Sequence, residues 1–136
     1  MMPIFELHPR LLADSVSVVM LGLCEVRLQT DANFPWLILI PQRSGVRHIH
    51  RLSSDDQRLL AQETSLVAER LEALTNADNI NVAVLGNMVP QLHIHIVARF
   101  KGDAAWPGPI WGIVPRKPYS ARALEQKVED IKMGLC

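Results

Sequence analysis

"VPQLHIHIVAR", residues 89–99, alternates Gln91, His93 and His95 with Leu92, Ile94 and Ile96. In an extended strand, residues two apart project from one face at a spacing of about 7 Å. The stretch is therefore expected to be a strand whose aliphatic residues fill a core on one side. On the other side Gln91, His93 and His95 stand abreast. A single such histidine is ordinarily a buried residue with its hydrogen bonds satisfied. Desolvating several polar side chains together is costly unless something binds them, so the row points to a site.

Outward from this strand, "NINVAVL" (79–85) reads as its partner across the turn "GNMVP". The clearest helix is 52–74, with Leu59, Leu60, Leu66, Val67, Leu71 and Leu74 in one stripe and Asp55, Arg58, Glu69 and Glu72 on the wet face. Ser53 or Ser54 caps it, and Ser54 with Gln57 has capping-box spacing. Upstream, "CEVRLQT" (24–30) and "WLILI" (36–40) pair as an antiparallel hairpin across "DANFP". "LHPRLLADS" makes a short helix near the start, and a tail helix covers about 120–133. A Pro/Gly-rich loop before that helix carries two of the three tryptophans. The expectation is an α+β fold: one domain over 1–136, with an antiparallel sheet of about five strands, one long helix and a C-terminal helix.

The chain has 136 residues, 49% of them hydrophobic and 21% charged, ordinary values for a globular domain. Fourteen basic residues balance 14 acidic ones, so bulk charge offers nothing to nucleic acid or to a membrane surface. The two cysteines, Cys24 and Cys136, form neither a zinc set nor a disulfide framework, and a reduced cytoplasmic setting is expected. "MMPIFELHPR" has no basic stretch leading into an apolar core, so no signal peptide is expected, and "FPWLILIP" is too short to span a bilayer.

Two chemistries suit the histidine row. Paired imidazoles ligate metals, and "RHIHR" (47–51) supplies His48 and His50 to complete a set. Arg47 and Arg51 oppose a cation there, and no carboxylate or cysteine has a matching spacing. The other chemistry is nucleophilic attack on phosphorus. Neutral imidazole, with a reference pKa of about 6.5, does this at cellular pH without a strong base beside it.

"QLHIHIV" resembles the motif of the histidine triad family, His-φ-His-φ-His-φ-φ with φ apolar, with Gln91 at the first His position. "WLILIPQR" is similar to the family's "LVIPK" strand, followed likewise by a loop and a long helix. "WPGP" is similar to the Trp-Pro segment of the family's nucleotide-binding branch. The resemblance covers roughly residues 15–115. It implies the family's fold and a hydrolase or transferase acting on a nucleoside phosphoramidate, a dinucleoside polyphosphate or a nucleotidyl adduct. It implies His93 as the nucleophile, His95 as a phosphate contact and Asn87 as a polar neighbour of the phosphates. Asp31 or Asn33 falls near the family's ribose contact, with a turn-forming role as the alternative. No cofactor and no metal are implied; the partner is a small nucleotide, and the chain is expected to pair as a homodimer. The apolar loop "WPGPIWGIVP" gives weak independent support for pairing.

Two departures bear on activity. Gln91 cannot protonate, although its amide still donates and accepts hydrogen bonds. Pro35–Trp36 replaces the family's "Gly-His", leaving Trp36 to stack on a base or pack against Trp106. A nucleotide-binding module with little catalysis is therefore the alternative, ahead of a His-ligated metal protein.

Overall fold

The computed structural model describes residues 4–136. Five strands, β1 (Ser15–Met20), β2 (Cys24–Gln29), β3 (Trp36–Pro41), β4 (Asn79–Ala83) and β5 (Ile94–Arg99), form one antiparallel sheet in the order β1-β2-β3-β5-β4. Three helices accompany it: α1 (Pro9–Asp14), α2 (Ser54–Thr75) and α3 (Ala121–Leu135). Both expected hairpins form, and β3 pairs with β5 to join them. Strand β1, "SVSVVM", was not among the expected elements; the short helix expected through Ser15 stops at Asp14.

One sheet face carries Val26, Leu28, Leu37, Leu39, Ile94 and Ile96, packed on Leu60, Val67 and Leu71 of α2 and Ile131 of α3. This matches the core expected behind the histidines. Ser53 caps α2 by accepting from Asp56 N–H, and Asn76 ends the helix in the left-handed region. The helical stripe differs in two places. Leu74 is exposed, while Glu63 is buried and its carboxylate accepts from the amides of Leu23 (2.9 Å) and Cys24 (2.8 Å). A charge on the inner face of α2 thus ties that helix to the start of β2.

The opposite sheet face has no helical layer of comparable length. Trp36, Ile38, Ile40 and Val97 are covered instead by Leu11 of α1, Phe34, Val89 and Ile110. The segment after β5 is fixed by the buried Arg99 and the half-buried Asp103, with Nε to Oδ2 at 2.8 Å. The Arg99 guanidinium stacks on Phe34 and Trp106, and Asp103 also accepts from the amides of Phe100, Ala105 and Trp106. These bonds, the Arg99 contact foremost, hold the Asp103 carboxyl well below the usual carboxylate range. Within the apolar loop expected to seek a partner, Ile110 is buried and Trp111 and Val114 pack on this face, while Ile113 stays exposed.

Candidate active site

On this second face lies a cleft of about 370 Å³ containing His93, His95, Trp36 and Trp111. Ile38 pairs with His95 and Trp36 with Val97, so β3 and β5 present these side chains to the same side. Arg10, Leu11 and Asp14 of α1 form one wall, and residues 85–89 form another. That turn reverses through Gly86 at φ 71°, a region a side chain would strain, and is anchored by buried Val89.

His93 stands one residue before the hydrogen-bonded ladder of β5. Its Nδ1 lies 2.7 Å from the Gln91 carbonyl oxygen. A carbonyl only accepts, so Nδ1 carries the proton and Nε2 holds a lone pair. His95 has the opposite arrangement. Trp36 Nε1–H donates to His95 Nδ1 at 3.0 Å, and indole nitrogen only donates, so the His95 proton sits on Nε2. The rings meet edge to face, with centroids 4.9 Å apart. Neither Nε2 has a partner among the described residues, and no fully buried side-chain nitrogen or oxygen among them lacks one; both Nε2 atoms therefore open on the cleft.

Both imidazoles are neutral near pH 7. Burial, the main cause, lowers the His93 pKa against the opposing bond to Gln91, and the nearby His8 lowers it further. Burial and the adjacent His93 bring His95 down to about 3. The cleft thus offers a nitrogen lone pair and, beside it, an N–H donor. Attack by the one on phosphorus and stabilisation of a phosphoryl oxygen by the other need no proton movement within the pair.

Asn87 lines the same cleft on the turn before β5. Gln91 does not: its Nε2 donates to Glu6 O (2.8 Å) and its Oε1 accepts from His8 N–H (2.9 Å). Asp31 and Asn33 also lie outside the cleft lining. Asp31 Oδ1 accepts from Asn33 and from Lys117 N–H, and Asn33 Nδ2 donates to Pro115 O, so the pair clamps the turn to the later loop. Gln29, at the end of β2, is the residue of that region that reaches the cleft. His48 and His50 are exposed in and beside a single 3-10 turn, and no three potential metal ligands cluster among the described residues. Trp36 packs against Trp111 at 6.1 Å, not Trp106. Trp111, Arg10 and Asp14 were not anticipated, because chain folding alone brings them to the histidines.

A family profile for the HIT domain matches residues 11–102. The chain belongs to the histidine triad family. A histidine triad protein from Bradyrhizobium japonicum is similar at 39% identity and TM-score 0.96, over 98% of this chain and 100% of that one. Another from Marinobacter aquaeolei VT8 is similar at 42% identity and TM-score 0.95, over 98% and 97% of the chains. A histidine triad nucleotide-binding protein from Sulfolobus tokodaii shares the fold at 19% identity and TM-score 0.68, over 89% and 83% of the chains. No curated protein matches this chain. Members of the histidine triad family are usually nucleotide hydrolases or transferases. No helix of the described residues is long and apolar enough to cross a membrane.

Proposed function

We propose that the protein is a nucleotide hydrolase or transferase that works through a covalent nucleotidyl-His93. The observation that carries this reading is the opposed pair of tautomers, with a lone pair on His93 Nε2 and a proton on His95 Nε2 facing one cleft. His93 Nε2 attacks phosphorus of a nucleoside monophosphoryl group, and His95 Nε2–H and the Asn87 amide stabilise the charge on its non-bridging oxygens. The Nδ1–H bond to the Gln91 carbonyl supports the positive charge that His93 acquires. Water, or another acceptor, then takes the nucleotidyl group. Gln29 and Asn87 are the polar neighbours for ribose and phosphate, with Asp31 and Asn33 acting through the turn they hold.

Incubation with diadenosine polyphosphate or an adenosine phosphoramidate is expected to release AMP and to leave an acid-labile adduct on His93. Unchanged turnover in His93→Ala removes the mechanism. AMP or GMP bound in calorimetry without turnover across that panel would instead favour a binding module. We further propose a homodimer. Val82, Val84, Leu85 and Met88 expose apolar surface along β4, the edge strand, and the turn after it. Sedimentation as a monomer at micromolar concentration refutes it.

A further inference from the structure

Taking His93 as the nucleophile, as proposed above, we infer that Trp36 is a positioning residue that locks His95 as a neutral Nε2–H donor, and that this lock restricts the enzyme to substrates whose leaving group departs as a phosphate oxyanion. The geometric basis is the 3.0 Å bond from Trp36 Nε1 to His95 Nδ1. To become an imidazolium, His95 must protonate the nitrogen that the indole N–H already faces, and two N–H groups cannot share that line. Trp111 and His93, packed edge-on against the same ring at 5.1 and 4.9 Å, leave it little room to turn away. The low proton affinity of the buried ring agrees with this.

A locked His95 gives a phosphoryl oxygen one hydrogen bond and cannot hand over a proton, since doing so would leave an imidazolate. No neighbour replaces it. Gln91, Asn87 and Gln29 are amides. Arg10 keeps its proton. Asp14 is a carboxylate paired with Arg116 at 3.0 Å and Arg10 at 3.8 Å. His8, the remaining imidazole near His93, spends Nδ1 accepting the Arg10 amide at 3.1 Å and is not among the residues that line the cleft. Among the described residues the cleft lining therefore lacks a general acid.

The step balances only for an anionic leaving group. The His93 Nε2 lone pair forms an N–P bond, the P–O bond to the bridging oxygen breaks, and that electron pair departs on the oxygen as a phosphate oxyanion. Water then forms an O–P bond and the P–N pair returns to Nε2; one water proton goes to bulk solvent and the other stays on the product phosphate. An amine, by contrast, needs a proton before the P–N bond breaks, because an amide anion is too basic to leave. The substrate class favoured is the nucleoside phosphoanhydride, with the phosphoramidate disfavoured.

The test compares a diadenosine polyphosphate with an adenosine phosphoramidate on the wild-type protein at about pH 7. A kcat/KM ratio of about tenfold or more in favour of the anhydride is expected; a smaller ratio overturns the inference. In Trp36→Phe, ring-nitrogen NMR at about pH 7 is expected to show the His95 Nδ1–H tautomer at about a tenth of the population or more, and an unchanged Nε2–H tautomer overturns the lock. If that variant does not fold, ring-nitrogen NMR of the wild-type protein decides. His95 is expected as the Nε2–H tautomer from about pH 8 to about pH 5, and an Nδ1–H tautomer or an imidazolium in that range overturns the lock. Anhydride turnover surviving His93→Ala sinks the nucleotidyl-His93 reading and leaves the NMR result standing.

Discussion

The tripeptide His-Ile-His occurs twice, at 48–50 and at 93–95, and the two copies share nothing beyond their spelling. At 48–50 the rings are exposed and lie parallel, 5.1 Å apart with 6° between their planes. At 93–95 they are buried and meet edge to face at 73°, and each Nδ1 has a partner of opposite sense. An imidazole acquires a defined chemical role only when something fixes which nitrogen holds the proton. The Gln91 carbonyl and the Trp36 indole do this for one pair, and no side chain is bonded to the other pair among the described residues.

The largest effect separating the copies is on turnover. His93→Ala is expected to lower kcat by about a thousandfold or more, since the covalent step is lost. His48→Ala with His50→Ala is expected to leave kcat within about twofold. A comparable loss from the second pair, measured as AMP release, would erase the distinction. Next in size is the support beneath the cleft. Asp103→Ala leaves the Arg99 guanidinium buried without its carboxylate and is expected to cost about 3–5 kcal/mol in urea unfolding. A loss under about 1 kcal/mol would mean that water reaches Arg99 and that the loop carrying Trp111 has another anchor.

The fold and the shared face of His93 and His95 in the candidate site were both legible in the sequence, for a definite reason. Strict alternation over 91–96 and the 3.6-residue stripe of the long helix are local patterns, and local patterns survive folding. Strand β1 carries the same alternation in "SVSVVM", but it follows the short helix without a turn residue, and that boundary was placed inside it. Trp36, Trp111, Arg10 and Asp14 were illegible as cleft residues because loop packing, not spacing, delivers them. Asp31 and Asn33 carried an ambiguous signal. The same Asx residues suit a ribose contact or a turn, and here their oxygens and amide are occupied by Lys117 and Pro115.

Acid should distinguish the buried pair through stability. In the unfolded chain an imidazole binds its proton near pH 6.5, whereas folded His95 does so only near 3 and folded His93 somewhere below its ordinary value. Where the unfolded state holds more protons, both residues leave stability intact above about pH 6.5 and erode it as the pH falls, His95 down to about 3 and His93 until its own lowered value is passed. The expected slope from His95 is on the order of 1 kcal/mol per pH unit. His95→Gln should remove its share, and thermal melts that keep the full slope in that variant would place the titration elsewhere.

The smallest expected effect falls on the residue that departs from the family motif. Gln91 uses its carbonyl to fix the His93 tautomer and its side chain to hold the Glu6–His8 segment that leads into α1. The backbone role survives any side-chain change, so Gln91→Ala should leave kcat within about threefold. The two side-chain hydrogen bonds do not survive, and their loss costs about 1–2 kcal/mol in stability. Arg10, Leu11 and Asp14, which α1 presents to the cleft, become less ordered, so KM is expected to rise by about threefold to tenfold. A fall in kcat with KM unchanged would instead mean that the Gln91 amide touches the reacting phosphate, and the first position of the motif would then act as chemistry and not as scaffold.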